Sequence, residues 1–386
     1  MLHPSQSRRV RSRWRSRPIA ARLRRFGVAP VALVLLGVVL LPACDSASMD
    51  SHSGGLDTLD VLGRATCSLP PNQLHDSVAK DAIPALTNPL LVNADEADYL
   101  NDDDRVIGLE IGDRTVAVPH NILWHHEIVN FDHSEPPLAV TYCPLTGSGI
   151  VFDRSDVDGA AFGVSGLLFQ NNLVMYDRAS NESLWPQMAR GARCGPADGR
   201  ALFMYPALEM TWQGWRALHP ATKVLSSDTR YGRNYTVNPY GNYDEPDNDH
   251  LLFPMAFDKR RPPKERVLGL PSGTGGLAFP FGALDNGEAV RVVPITYGTQ
   301  PIVVFWHRAY QAAMAYWVSP GEAAQTFEVR GGQIFDAETG SQWRIDGRAV
   351  AGPLNGRRLQ PVRDAYVAFW FAWAAFQPKT ELWTGE

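Results

Sequence analysis

The sequence predicts a mainly β protein, a β-rich α+β chain with a few short helices, organised as two homologous lobes from an internal duplication. Composition supplies two reasons. Of 386 residues, 33 are Gly and 29 are Pro, about a sixth of the chain, which is more than a helical bundle tolerates. Eleven Trp and twelve Tyr suit a core in which flat side chains pack between sheets. The third reason is a set of landmarks that occurs twice in the same order. With 45% hydrophobic and 20% charged residues the chain is too apolar to be disordered, and four cysteines are too few for a disulfide scaffold.

The repeated landmarks are specific. Val106-Ile107-Gly108-Leu109 with Pro119 returns as Val267-Leu268-Gly269-Leu270 with Pro280. Phe162-x-Val164-x-Gly166 returns as Phe327-x-Val329-x-Gly331, and Asp177, Ser183 and Trp185 as Asp336, Ser341 and Trp343. Gly195-Pro196-x-x-Gly199-Arg200-x-Leu202 returns without a gap as Gly352-Pro353-x-x-Gly356-Arg357-x-Leu359. Trp212-x-x-Trp215 with Pro220 returns as Trp370-x-x-Trp373 with Pro378.

Taken in order, residues 1–43 read as a lipoprotein signal peptide. Nine arginines and no acid lie between Met1 and Arg25, and an apolar run follows from Phe26 to Leu41, short for a comfortable membrane span. Leu41-Pro42-Ala43-Cys44 resembles a lipobox, with Cys44 as the lipidated residue; the alternative is an uncleaved anchor helix. The expected location is a membrane lipoprotein facing the periplasm or the cell exterior. Removing nine positive charges from a net charge of −5 leaves the mature chain at −14. That balance argues against nucleic acid or an anionic membrane face as partner and leaves the lipid anchor as the membrane contact. Residues 44–60 form a flexible tether.

Residues 61–221 form the N-terminal lobe. Arg105–Val118 alternates around Gly112-Asp113 and predicts a hairpin, and Leu138–Tyr142, Gly149–Phe152 and Leu167–Tyr176 predict strands. Helices are predicted from Thr211 to Leu218 and from Ala365 to Phe376, each with its Trp pair on one face. Residues 222–265 form a connector too rich in aromatics to hang free, and 266–386 form the C-terminal lobe, a degenerate repeat.

Chemistry concentrates in the first lobe. Trp124-His125-His126-Glu127 precedes Thr141-Tyr142-Cys143-Pro144-Leu145-Thr146-Gly147-Ser148, which places a cysteine where a β run enters a turn. A nearby imidazole would activate Cys143 as a nucleophile, with His125 and Glu127 as its catalytic partners. Alternatively Cys143, His125 and His126 would ligate a soft transition metal such as copper. The plainer reading is a packed core thiol. Asn171, Asn172 and Tyr142 are candidate binding residues at the same site. Asp177-Arg178 with Glu182 is read mainly as a turn, and Asp244-Glu245-x-Asp247-x-Asp249-His250 as a solvated acidic loop rather than a calcium site. If Cys67 and Cys194 pair, Cys143 is the odd thiol; spacing leaves this open.

Trp124–Asn130, Thr141–Ser148, Gly166–Arg178, Ser183–Gln187, the connector and Lys264–Gly269 together resemble a bacterial family known as domain of unknown function 3179. The likeness spans roughly 85–380 and implies no particular activity. Some relatives carry a second cysteine where Thr146 stands, so a Cys-x-x-Cys redox pair is absent here. Aligning the lobes sets Trp306 opposite Cys143, and the second lobe's Phe281–Glu288 has no His-Glu pair. The function expected is an exported lipoprotein with a thiol or metal site. Its alternative is a non-catalytic protein that binds a sugar or peptide in an aromatic groove, and in either case the small-molecule or metal ligand is unspecified.

Overall fold

Strand Arg105–Ile111 turns back into Arg114–Pro119 with Val106 opposite Pro119 and Ile111 opposite Arg114, the hairpin the alternation predicts. The computed structural model describes residues 67–179, 182–273, 275–318, 321 and 323–385, all within a compact unit of residues 52–386. The signal peptide, Cys44 and the tether lie outside the described residues. Among the described residues no helix is long and apolar enough to cross a membrane.

Leu208–Thr211 adds antiparallel to Arg105–Ile111, and Lys223–Leu225 adds parallel to Arg114–Pro119. Between these additions runs helix Trp212–Leu218, capped by the Thr211 hydroxyl, which accepts the Gly214 N–H at 3.3 Å. The same pairings recur in Arg266–Ser272, Gly275–Pro280, Tyr366–Phe369 and Lys379–Leu382, with helix Trp370–Phe376 in the matching place. Each unit uses a glycine as a seat for an indole. A Cβ on Gly108 would fall 2.2 Å from Trp215, and one on Gly269 would fall 2.2 Å from Trp373. The indole N–H groups then donate to Thr222 at 2.8 Å and Thr380 at 2.9 Å.

The other landmarks repeat their bonds as well. Trp185 donates to Asp177 at 2.8 Å, and Trp343 donates to Asp336 at 2.9 Å. Each aspartate faces a phenylalanine across its hairpin, Phe162 in one and Phe327 in the other. Two meanders complete the pattern: Ile128–Phe131, Leu138–Cys143 and Ser148–Asp153, then Val290–Tyr297, Gln300–His307 and Ala312–Trp317.

The two meanders pack crosswise. Val367 pairs with Gly149, which joins the first meander to the second half's strands in one eight-stranded sheet. In the reverse direction the Thr211 N–H donates to Tyr310 O at 2.9 Å. The cores follow suit. Val106, Trp212 and Trp215 pack with Phe305, Tyr316 and Trp343, while Cys143, Phe152 and Trp185 pack with Val267, Phe369 and Trp373. The described residues of 61–221 and 266–386 therefore share their cores.

The helices differ from expectation in two ways. Helices His120–His126 and Phe281–Leu284 lie outside the predicted ones; each follows a proline N-cap, Pro119 or Pro280, and is too short for periodicity to reveal. The last helix begins at Trp370 rather than Ala365, because Tyr366–Phe369 pairs with Arg266–Gly269 as a strand.

Candidate functional site

Strand Leu138–Cys143 delivers two neighbours to opposite faces, as period-two alternation requires. The Tyr142 ring lies 4.0 Å from that of His120, in the core around Trp215, while Cys143 enters the core around Trp373. Cys143 is fully buried and is the free cysteine of the described residues; Cys67 and Cys194 form a disulfide. The thiol donates to Asn171 O at 3.8 Å. Burial, and then the carboxylate charge of Glu127, push its pKa up to about 11, against hydrogen bonds from Thr146 and Leu173. At neutral pH it is a protonated thiol.

The end of the short helix His120–His126 sets Glu127 where its charge acts on this thiol. Its N–H closes the helix on Leu123 O at 2.9 Å, and its carbonyl accepts the Tyr142 N–H at 2.8 Å. These two bonds hold Glu127 at φ 56° and ψ −31°, a conformation outside the left-handed well. Such strain in a non-glycine residue costs roughly 1–3 kcal/mol. The side chain is 5% exposed, and burial alone raises its pKa to about 8. Among the described residues nothing hydrogen-bonds its carboxyl group. Tyr240, from the connector, faces both Glu127 and Cys143, and burial and their charges push its phenol upward.

The histidines are turned elsewhere. His126 Nδ1 donates to Pro84 O at 2.7 Å, which leaves Nε2 to accept the Tyr235 hydroxyl at 2.6 Å. Both ring nitrogens are committed, and burial lowers the pKa to about 4. His125 sets its ring edge-on to Tyr235 at 5.4 Å; burial and Arg233 lower its pKa. Neither hydrogen-bonds Cys143, and of Glu127, His125 and His126 it is Glu127 whose charge acts on the thiol. Among the described residues no group of three His, Cys, Asp or Glu is placed to hold a metal ion.

Asn171 and Asn172 divide the work. Gln170 and Asn171, with φ of 53° and 61°, form the two-residue turn between Phe169 and Asn172, the primed geometry that hairpins favour. The Asn171 amide grips Phe253, donating to its carbonyl at 2.8 Å and accepting its N–H at 2.9 Å. Asn172 instead closes a buried network. It donates to Thr146 at 2.9 Å, Ser148 at 3.2 Å and Gln187 at 2.9 Å, and accepts the Met188 N–H at 2.9 Å. Gln187 donates in turn to Thr141 at 2.8 Å. With every polar group used, this network holds the turn behind Cys143 rather than facing a ligand.

Residues that the sequence did not single out complete the site. The Tyr243 hydroxyl donates to Leu145 O at 3.0 Å. Lys264 is fully buried, with Nζ 3.4 Å from the centroid of the Tyr243 ring and 2.7 Å from His250 O. Burial lowers its pKa to about 8, opposed by Asp244 and Asp249. The only sequence signals were the aromatic content of the connector and the lysine that opens Lys264–Gly269. Asp177 and Glu182 serve local structure: Asp177 accepts the Ser183 N–H and the Trp185 indole, and Glu182 pairs with Lys80.

The comparison with known proteins bears on the whole of this arrangement. A family model described as a protein of unknown function, DUF3179, matches residues 80–380. The chain belongs to this family. No curated protein and no solved structure matches.

Proposed function

We propose that this DUF3179 member is an exported, lipid-anchored protein whose working group is the Cys143 thiol, acting with Glu127 as its proton partner. The observation that carries this reading is Glu127 itself. Among the described residues its carboxyl has no hydrogen bond; burying such a group on a strained backbone costs stability, and its charge acts on the free Cys143 thiol. In chemical terms the neutral acid ionises near pH 8, and its carboxylate can then accept the thiol proton as Cys143 attacks an electrophile. Export is supported by the Cys67–Cys194 disulfide, which suits an oxidising compartment, and by the arginine-rich, apolar and lipobox sequence before it.

The test is the pH profile of Cys143 alkylation in Glu127→Gln. Wild type should show a rise in rate near pH 8 that the variant lacks. The variant should instead show a single thiol titration below that of wild type, because the neighbouring charge is gone. Identical profiles would remove Glu127 from the chemistry and return Cys143 to the packed core.

One observation favours a second reading, a non-catalytic binding protein. A cleft of about 550 Å³ is lined by Tyr205, Trp215 and Tyr316 with Glu110, His219 and Arg358. Trp215 and Tyr316 lie almost fully buried behind it, and the half-buried Tyr205 ring beside the charged groups suits a sugar or peptide. Glycan and peptide arrays probed with wild type and Tyr205→Ala test it; binding lost in the variant supports the cleft, and no binding by wild type counts against it.

A further inference from the structure

We infer that connector residues 240–253 are a gate over the Cys143 thiol and that Asn171 is the latch that positions both. The inference rests on the thiol reading above, because a thiol that is fully buried can work only if something lifts away from it.

Three observations identify the part that lifts. First, residues 240–253 carry no helix or strand, since the chain has none between Lys223–Leu225 and Arg266–Ser272. Apart from the Lys264 N–H, which donates to Pro246 O at 3.1 Å, their hydrogen bonds to the protein outside residues 238–253 each involve a side chain. Second, those holds surround the site: Tyr243 and Leu251 are buried in the same core as Cys143, and Asp244 pairs with Arg266 at 3.4 Å. Tyr243 bonds Leu145 O within the Cys143 turn, Lys264 bonds His250 O and lies on the Tyr243 ring, and Phe253 stacks on His75 at 4.4 Å. Segments held this way open at lower cost than the sheets beneath them. Third, a single residue touches both gate and thiol. Asn171 takes the thiol hydrogen on its backbone carbonyl and grips Phe253 with both ends of its side-chain amide. When the grip releases, the carbonyl that holds the thiol hydrogen bond stands at the edge of the opened site.

The hairpin geometry makes this separable from folding. Asn171 occupies the second position of a primed turn, where glycine is as well suited as asparagine. Asn171→Gly therefore keeps the turn and removes only the latch. Tyr243→Phe keeps the ring on Lys264 and removes only the bond to Leu145.

The experiment uses the full chain with its disulfide intact. It measures the rate at which iodoacetamide labels Cys143, read by peptide mapping, and the hydrogen exchange of peptides spanning 240–255 and 138–153. Asn171→Gly is expected to label about tenfold faster or more, the loss of two hydrogen bonds, with Tyr243→Phe intermediate. Exchange should quicken across 240–255 and not across 138–153. Equal labelling in all three proteins, or exchange that quickens equally in both segments, overturns the gate. The pH profile of Glu127→Gln in the Asn171→Gly background then separates the two ideas. A gate that opens onto a thiol indifferent to Glu127 sinks the thiol–carboxyl reading alone. A Glu127-dependent thiol that ignores Asn171 sinks the gate alone.

Discussion

His307 stands in the second meander where Cys143 stands in the first. Cys143 pairs with Ser148 across one hairpin and His307 pairs with Ala312 across the other, and both hairpins turn through four residues. Trp306 therefore corresponds to Tyr142, one position from where a simple alignment sets it. Their packing agrees: His120 packs tilted against Tyr142 at 4.0 Å, and Phe281, which follows Pro280 as His120 follows Pro119, meets Trp306 at 4.8 Å. The glycines, prolines and tryptophans that shape each half recur, but the thiol and its carboxyl neighbour do not. Cys143 and Glu127 are thus set apart from the residues that both halves use for packing.

Gly108→Ala should destabilise the fold severely. Its Cβ would fall 2.2 Å from the Trp215 ring, too close for a buried indole to yield without moving its helix. Overpacking of this kind costs about 1–3 kcal/mol, and here the upper end is expected. Gly269→Ala, against Trp373, should cost a similar amount. Chemical denaturation of both variants checks this; a loss confined to one would show that the two seats are not equivalent.

The parts of the fold that were legible are those that fix backbone or fill volume. Gly112 marked its hairpin, the Gly-Pro runs marked their turns, and the Trp pairs marked two helices. What stayed hidden depends on bonds between distant segments. Nothing in Trp124–Glu127 announces a helix of seven residues, and that helix turns both histidines toward Tyr235 rather than toward Cys143. The positive φ that aims Glu127 has no signature, because the residue is not glycine. Cys143 stood out by its position at a strand end. Its surroundings did not: Asn171 reaches the thiol from 28 residues away, and Tyr243 reaches Leu145 from 98.

Removing the disulfide should weaken the protein without abolishing the site. Cys67 and Cys194 are 127 residues apart, and linking them constrains a long loop in the unfolded chain. Replacing both with serine should cost about 2–5 kcal/mol. Cys143 alkylation in the folded variant should keep its wild-type pH profile. A changed profile would mean that the disulfide shapes the thiol site as well as the stability.

Lipidation is tested by labelling with a fatty-acid analogue. Wild type should carry the label and Cys44→Ala should not. Cleavage within residues 45–55 should then release a chain of net charge −12 to −13 from the membrane, since nine arginines have left with the signal peptide and Asp45, with or without Asp50, stays on the anchor. Equal labelling of the two proteins would remove the lipid anchor from the proposal.

Glu127 should also leave a mark on stability that depends on pH. Its carboxyl pKa is about 8 when folded against an ordinary 4.5, so the native state holds a proton that the unfolded chain releases between those values. The sign follows from this. The contribution is fully present below pH 4.5, declines as the pH rises, and is lost above 8. Across that window it amounts to at most roughly 5 kcal/mol. The glutamine side chain of the Glu127→Gln variant does not titrate, so the variant should gain on wild type between about pH 5 and about pH 8.5 by a few kcal/mol. The other perturbed groups cancel in the comparison, since His126, neutral down to about pH 4, and Lys264, titrating near 8, are common to both proteins. Urea unfolding at the two pH values measures the difference. If wild type and variant change in parallel, the Glu127 carboxyl is not held neutral by burial, and it loses its standing as the proton partner of Cys143.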